Sequence, residues 1–355
     1  MKNAILTFQF AHNYGALLQA YALKQYLHIQ GFETNIAPYY PKWAQSEYAI
    51  SPFAKGISLK RRVRLALQYE RRKKQGRLFN SFISKELNTG ESFSSEEELK
   101  IWLEKYDCVI CGSDQIWNDN ITGDNAAYYA GGCRLKKVSY AASLGTVNLT
   151  ETQEKNIIKY LPSFSAISVR EPGSAIAIDK ILHRKVEVVM DPVFLLSRDE
   201  WHELSKAVSI DKNYLLLYFL QENEELLKYA KKYAEEHNLK IYEVHPTLAA
   251  KHSSCKQLND IGPKEFLWLI ENAACVCTNS FHATAFSTIF RKKLLHIPNS
   301  KSPERTISLL ARIGIKLKKK NELPLYDINL YNDINLTREI EKSKKFLTTA
   351  LEDGR

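Results

Sequence analysis

The chain has 355 residues, of which 45% are hydrophobic and 25% are charged, so it can bury a large core and is not a wholly disordered protein. Its length is long for a single α/β domain and favours two domains. The N-terminal sequence MKNAILTFQFAHNYG lacks the apolar core and cleavage site of a signal peptide, and no apolar run approaches the roughly 20 residues of a membrane span. We therefore expect a cytoplasmic protein.

The six cysteines lie mostly in apolar, strand-like runs. Cys108 and Cys111 have the C-x-x-C spacing of some metal and redox sites, but no second pair with histidine follows at ligand spacing. We expect buried free thiols of a reducing compartment, with no metal site and no cofactor.

The N-terminal segment has the pattern of a βαβ unit. Residues 3–8 predict a buried strand, a helix follows the turn at Tyr14, Gly15 and Ala16 and runs to about Gln30, and residues 32–37 predict the next strand. Small residues at the strand-to-helix turn let a ligand approach the backbone closely. The turn is not G-x-G-x-x-G, so it gives little support to a dinucleotide site.

Residues 38–53 are rich in Tyr, Trp and Pro and predict a long loop over the mouth of a cleft, and a strongly basic stretch, residues 55–77, follows. This stretch holds much of the formal net charge of +10, because ten lysines and arginines accompany one acidic residue. Interleaved apolar residues predict a basic amphipathic helix. Three interpretations stay open: a solvated face, an anionic membrane surface or diphosphate-lipid, and nucleic acid. No nucleic-acid-binding motif accompanies the run, so we expect no nucleic-acid partner.

A capping box at Ser95 and Glu98 opens the next predicted helix, and the strand predicted over residues 107–111 ends in GSDQIWN. Amides and carboxylates beside an aromatic platform are typical of sugar sites, which form at strand ends. The alternative is a capped turn with a core tryptophan.

Arg170 stands at another predicted strand end, after the strand of residues 138–142 and the helix of residues 150–160. It either forms a surface salt bridge with an acidic neighbour or donates paired hydrogen bonds from its guanidinium to a bound carboxylate or phosphate. A further strand over residues 186–190 leads into DPVFLL, and we place a domain boundary near residues 197–210.

The second half repeats the alternation, with strands at residues 214–220, 240–244 and 294–297 and helices at residues 223–237, 262–272 and 305–313. The tail predicts a helix over residues 335–352 that could cross back onto the first domain. Two open α/β halves facing each other across a cleft are the expected architecture.

The most informative stretch is CVCTNSFHATAFSTIF, residues 275–290. A short apolar strand breaks into polar residues, and His282 stands where small, helix-compatible residues begin. A strand that feeds a helix places free N–H groups and the positive end of the helix dipole beside this imidazole. The pattern predicts an anion site with a proton carrier. The alternative is a helix-start histidine satisfied by the backbone.

Taken together, the motifs resemble those of the polysaccharide pyruvyl transferase family. The resemblance rests on blocks in the family's order: NYGALLQAYAL (13–23), VICGSDQIWN (109–118), SYAASLG (139–145), SVRE (168–171), DPVFLL (191–196), TNSFHATAF (278–286) and RTISLLARIGI (305–315). The resemblance implies two Rossmann-like domains of the GT-B kind. It also implies transfer of pyruvate from phosphoenolpyruvate to two sugar hydroxyls as a cyclic ketal, with release of phosphate.

We divide the chain into residues 1–200, expected on the sugar acceptor side, residues 201–330, expected to carry the catalytic histidine and the phosphoenolpyruvate side, and residues 331–355, which hold the C-terminal helix. The family's catalytic histidine falls on His282, and its phosphoenolpyruvate-binding arginine falls on Arg170. Many members have Arg two positions before the histidine and Gly directly after it, where this chain has Ser280 and Ala283. The missing cation leaves more of the phosphate binding to Arg170, Arg305 or the helix N-terminus.

These assignments give two predicted groups of site residues and two rival functions. Phosphoenolpyruvate, the co-substrate, is expected against Arg170, Asn279, Ser280, Phe281 and Arg305. The glycan acceptor, polymeric or polyprenyl-diphosphate-linked, is expected against Asn13, Tyr14, Gly15, Gln19, Ser113, Asp114, Gln115 and Trp117. One rival is a GT-B glycosyltransferase with a nucleotide-sugar donor. The other is a non-catalytic assembly protein on the inner face of a membrane, bound there through residues 55–77.

Overall fold

The computed structural model describes residues 1–48, 51, 53, 58–245, 252, 255–319 and 322–352. The strands of the first half are β1 (Lys2–Leu6), β2 (Glu33–Ile36), β3 (Cys108–Cys111), β4 (Lys136–Ser139), β5 (Ser168–Val169) and β6 (Glu187–Val188). Its helices are α1 (Tyr14–Ile29), α2 (Lys42–Glu47), α3 (Leu59–Leu67), α4 (Tyr69–Phe82), α5 (Glu96–Leu103), α6 (Asp119–Thr122), α7 (Glu151–Tyr160), α8 (Pro172–Leu182) and α9 (Arg198–Leu204).

The first sheet is parallel, with strand order β2-β1-β3-β4. The parallel pair β5-β6 continues it beside β4 through the bridges Val138↔Ala166 and Ala142↔Val169. Its central strands are buried apolar runs, as expected where helices cover both faces. Capping boxes at Ser95 and Thr150 start α5 and α7 and satisfy N–H groups that these helices would leave unpaired.

The second half repeats this design. Its strands are β7 (Tyr214–Tyr218), β8 (Lys240–Val244), β9 (Lys256–Leu258), β10 (Cys275–Thr278), β11 (Lys293–His296) and β12 (Leu325–Asp327). Its helices are α10 (Glu224–Glu236), α11 (Pro263–Asn272), α12 (Phe281–Ile289), α13 (Glu304–Arg312) and α14 (Ile334–Glu352). The strand order is β12-β11-β10-β7-β8-β9, and only β12 is antiparallel in this sheet as described. The prediction of two open α/β halves is confirmed.

One hydrophobic core joins the two halves, and Tyr14 lies in it. The Tyr14 ring stacks on Phe266 of α11 with centroids 4.3 Å apart, and its hydroxyl donates to the Ile261 carbonyl at 3.0 Å. Trp201 of α9 meets Phe286 of α12 edge to face at 5.0 Å. Aromatic packing therefore joins α1 to α11 and α9 to α12.

Helix α14 returns to the first half of the chain. The Met190 N–H donates to Ser343 Oγ at 2.8 Å, and Lys342 pairs with Glu187 at 3.3 Å. Among the described helices, none combines the length and apolar character that a membrane crossing demands.

Two predictions in the first half are wrong. Residues 38–53 do not form a loop throughout, because α2 begins after Pro41, and Tyr40 and Trp43 pack on Phe10. The basic stretch forms two helices, since Gln68 leaves helical geometry with φ −110° and ψ 7°. Residues 55–57 of that stretch lie outside the described residues.

Candidate functional site

Two helix N-termini, one from each half of the chain, converge on His282. Ser280 ends the turn after β10 and caps α12 by accepting from the Ala283 N–H at 3.4 Å. On the other side, Asn13 caps α1 by accepting from the Ala16 N–H at 3.1 Å. The unpaired N–H groups and dipoles of both helices thus favour a bound anion here.

Gly15 sets the distance between these helices. A Cβ atom added at Gly15 would lie 2.0 Å from His282 Nδ1. Only glycine lets the α1 backbone approach the imidazole this closely. The small residues at this turn therefore make room for His282.

A cavity of about 150 Å³ opens at this junction. Both halves and the aromatic segment before the basic stretch contribute to its wall. The cavity is lined by Phe8, Asn13, Ala16, Tyr48, Asp114, Gln115, Ile121, Tyr218, Leu220, Ser280, Phe281, His282 and Arg305.

Behind the imidazole lies a buried chain of charges. His282 Nε2 is 3.6 Å from Asp191 Oδ2, which accepts from Arg170 Nη1 at 2.8 Å. Arg170 Nε donates to Glu171 Oε1 at 2.8 Å. The other Asp191 oxygen accepts from the Val193 N–H at 3.1 Å, which fixes the carboxylate. Asp191 thus lies within ion-pair distance of His282 Nε2, which has no hydrogen-bond partner among the described residues.

The pKa shifts agree with this chain of charges. Burial alone would raise the pKa of the Asp191 carboxyl, but interactions with His282 and Arg170 lower it below its usual range. Burial also disfavours charge on Arg170, yet Glu171, Asp191 and Asp114 raise its pKa overall. Both groups are therefore ionised at neutral pH.

Arg305 is a second, less satisfied guanidinium. Its closest carboxylate oxygens, on Asp114 and Glu171, are both 3.8 Å away, and its buried Nε has no hydrogen-bond partner among the described residues. Burial, together with the charge of Arg170, lowers the pKa of Arg305 to about 10. It remains charged at neutral pH and can donate to an incoming anion. Both guanidinium carbons lie near the Phe281 ring, at 4.4 Å for Arg170 and 5.1 Å for Arg305 from its centroid.

The structure places some of the predicted residues at the cavity and others behind it. The predicted residues that line it are Asn13, Asp114, Gln115, Ser280, Phe281, His282 and Arg305. Gly15 lies against the His282 ring. Arg170 is only 3% exposed and reaches the site through its carboxylate partners.

Trp117 and Tyr14 do not provide the expected surface for a sugar. The Trp117 indole is 1% exposed, stacks on Tyr129 and donates to the Tyr128 carbonyl at 3.1 Å. Tyr14 is 2% exposed and sits between α1 and α11. The alternative of a capped turn with a core tryptophan describes Trp117.

Three further predicted residues are buried and bonded within the protein. Gln19 Nε2 donates to Thr7 Oγ1 at 2.9 Å, and Ser113 Oγ donates to the Ala141 carbonyl at 2.9 Å. Asn279 Oδ1 accepts from the Leu220 N–H at 2.9 Å and so fixes the loop after β7. None of these three side chains is among the residues that line the cavity.

The sequence interpretation missed Asp191 and Tyr48. Asp191 follows the predicted strand of residues 186–190, so it carried the strand-end signal by which Arg170 was selected. Tyr48 stands in the segment predicted as a loop and lines the cavity from the end of α2.

The six cysteines are free thiols, and five of them are buried. Burial raises the pKa of Cys108 to about 12 and raises that of Cys111 as well. Because the thiolate is the reactive form, the raised pKa values make the C-x-x-C pair unreactive at neutral pH. No cluster of three or more His, Cys, Asp or Glu residues suited to a metal occurs in the part of the chain that the structure describes.

Comparisons with known proteins identify a family and a fold. The family model for polysaccharide pyruvyl transferase matches residues 13–301. A search of curated proteins finds no match. Similar solved structures include a UDP-GlcNAc 2-epimerase from Methanocaldococcus jannaschii, with TM-score 0.51 and 16% identity over 98% of this chain and 100% of that chain. The Anabaena protein HepE, solved with UDP-glucose, has TM-score 0.54 and 11% identity over 98% and 100% of the two chains. At this identity the likeness concerns the fold, which is GT-B.

Proposed function

The chain belongs to the polysaccharide pyruvyl transferase family and is a transferase, and from that premise we propose that it moves pyruvate from phosphoenolpyruvate onto a sugar. The acceptor is a surface polysaccharide or its polyprenyl-diphosphate-linked precursor, and the product is a cyclic ketal with free phosphate. One observation carries this proposal: His282 and Arg305, whose Nε has no hydrogen-bond partner among the described residues, line the same cavity at two helix N-termini.

The cavity suits a small, highly charged anion. Two helix N-termini and the Arg305 guanidinium supply positive potential and hydrogen-bond donors. These donors match the phosphate and carboxylate groups of phosphoenolpyruvate.

The reaction balances with the groups of substrate and acceptor alone. The methylene carbon of phosphoenolpyruvate gains a proton, and a first sugar hydroxyl adds its oxygen to the neighbouring carbon. The bond from that carbon to the phosphate oxygen then breaks, and a second hydroxyl closes the ring. Of the two hydroxyl protons, one ends on the new methyl group and the other on phosphate.

We assign these proton transfers to His282. This residue lines the cavity, and Asp191 Oδ2 lies 3.6 Å from its Nε2. A single acid and base beside an anion site could serve each transfer in turn. Arg305, Ser280 and the first N–H groups of α12 would hold the phosphate and carboxylate, with Phe281 packed beneath the guanidinium. The sugar would then meet Asn13, Asp114 and Gln115.

The deciding experiment measures phosphate release from phosphoenolpyruvate by the purified full chain. Acceptors ending in galactose, mannose and N-acetylmannosamine are compared with no acceptor, and mass spectrometry identifies the ketal. We expect release that requires an acceptor and disappears in His282→Ala.

A matched ligand comparison separates the proposal from the nucleotide-sugar alternative. We expect phosphoenolpyruvate to raise the melting temperature and uridine or guanosine diphosphate to leave it unchanged. A shift with the nucleotide diphosphates alone, with no phosphate release, would assign the cleft to a glycosyltransferase.

A further inference from the structure

Helix α3 turns its apolar side chains outward, unlike an ordinary surface helix. Leu59, Val63 and Leu67 are 77%, 55% and 83% exposed, whereas Leu65 is 2% exposed. At about 100° per residue the three exposed side chains fall within about 80° of arc, and Leu65 points the opposite way. The exposed face is thus a continuous apolar stripe of about two turns, which soluble surfaces rarely leave uncovered.

Cations border this stripe. Lys60 and Arg62 are exposed on either side of it, and Arg71, Lys73 and Arg77 are exposed on α4. A partner that matches both features must offer an apolar layer beneath a negatively charged surface. A membrane interface with anionic lipids has this arrangement. We propose that the outward face of α3 docks on an anionic lipid bilayer, a proposal independent of the chemistry of the cleft.

Two other partners fit the face less well. Nucleic acid would neutralise the cations but would leave Leu59, Val63 and Leu67 in water. A second copy of the chain paired through the same stripe would bring Lys60 and Arg62 towards their own counterparts, and like charges repel. A bilayer satisfies both parts of the surface at once.

Helix α4, which follows α3 in the chain, contacts the residues next to the cleft. Gln75 Nε2 donates to the Tyr14 hydroxyl at 3.1 Å, and the Phe79 ring lies 5.1 Å from the Tyr14 ring. Tyr14 begins α1, and the next residue, Gly15, touches His282. The surface that would meet the bilayer is therefore two packed elements away from the cavity. If the proposed pyruvyl transfer holds, docking would bring a lipid-linked acceptor to the cleft.

Flotation of the full chain with vesicles tests the proposal. Vesicles of neutral phosphatidylcholine are compared with vesicles containing about one third phosphatidylglycerol, at low and high salt. We expect binding to the anionic vesicles only, weakening as salt rises. Replacing Lys60, Arg62 and Arg71 together by Gln should weaken it on the order of a hundredfold, from about fivefold for each cation.

The apolar stripe gives the sharper test, because it separates lipid insertion from charge. The triple variant Leu59→Ser, Val63→Ser, Leu67→Ser keeps every cation, and we expect its binding to fall at least tenfold. A matched variant replaces three exposed isoleucines on other helices, Ile101, Ile158 and Ile176, which are 61%, 60% and 70% exposed, by Ser. It should bind vesicles as the native chain does.

Two results would overturn the proposal. If the stripe variant bound anionic vesicles like the native chain while heparin competed fully, the face would be a general polyanion site. If the stripe variant changed only a concentration-dependent dimer in sedimentation, the face would be an interface between two copies. Phosphate release with a soluble acceptor should be unchanged in the stripe variant, so failure of docking and failure of pyruvyl transfer can be told apart.

Discussion

Two histidines lie at neighbouring strand ends of the second sheet and have opposite surroundings. His282 follows β10, and His296 ends β11, where it pairs in register with Thr278. His282 faces a cavity and stands beside Asp191. His296 is 1% exposed, its Nδ1 lies 2.8 Å from the Thr278 carbonyl, and its Nε2 has no hydrogen-bond partner among the described residues.

The difference comes from the other half of the molecule. His282 is met by Gly15 and Asp191, both from the first half, whereas Thr278 and Thr284, the polar partners of His296, belong to its own half. Burial lowers the pKa of His296 to about 4, although the carbonyl of Thr278 opposes this, so it is neutral at neutral pH. Of these two strand-end histidines, the one met by the other half of the molecule has a carboxylate beside it and lines the cavity at the junction of the two halves.

The largest expected effect is a difference in kcat between variants of the two histidines. We expect His282→Asn to lower kcat for phosphate release by about 10²- to 10⁴-fold, because the proposed proton carrier of the transition state is lost. His296→Asn should keep kcat within about threefold, since an amide can still donate to the Thr278 carbonyl. Steady-state kinetics on both variants makes the comparison, and equal losses in the two would contradict it.

Arg170 and Arg305 should differ in how much each contributes to the free energy of unfolding. Arg170→Gln should lower the free energy of unfolding by about 3–5 kcal/mol, because Asp191 and Glu171 would stay buried without their cation. Arg305→Gln should change it by less than about 1 kcal/mol, since in the described part of the chain no carboxylate lies within hydrogen-bond distance of that guanidinium. It should instead raise KM for phosphoenolpyruvate by at least about tenfold, as expected for a lost charged hydrogen bond.

Urea denaturation gives the unfolding energies, and initial rates give KM. A large loss of stability in Arg305→Gln with an unchanged KM would make Arg305 a structural residue. It would then not be the anion-binding cation.

Gly15→Ala tests whether the two domains set the position of His282. The new Cβ would lie 2.0 Å from His282 Nδ1, so the imidazole must move, and a displacement of about 1 Å can cost about 10²-fold in kcat. Gly173→Ala is the control, because its Cβ would meet the Val147 side chain, which is 45% exposed and free to shift. Full activity in Gly15→Ala would show that the histidine does not depend on this contact.

The sequence predicts the main strands and helices, but it does not predict which side chains at the strand ends are buried and which face the cavity. Period-2 and period-3.6 patterns with capping residues locate both sheets, α1 and α12, because these signals are local. Whether a strand-end side chain faces the cavity depends on packing from distant segments. Trp117 and Asp114 both follow the same strand, yet Trp117 is buried in the core and Asp114 lines the cavity. The sequence does not single out Asp191, because its partner His282 is far along the chain and no periodicity links them. The outward stripe of α3 also depends on packing, since sequence alone cannot say which face of an amphipathic helix meets the core.

The smallest expected effect is the contribution of His296 to the pH dependence of the free energy of unfolding. Because its pKa is about 4 when folded and about 6.5 when unfolded, the unfolded chain binds more protons between these values. Stability contributed by the neutral imidazole is therefore complete above pH 6.5 and falls as the pH drops towards 4. At pH 5 the loss is about 2 kcal/mol, which His296→Asn should abolish. Asp191 does not interfere, since its lowered pKa places its contribution below this window. Urea denaturation of both proteins at pH 7.5 and 5 measures the difference, and an equal pH dependence in the two would show that the native His296 takes up its proton without penalty.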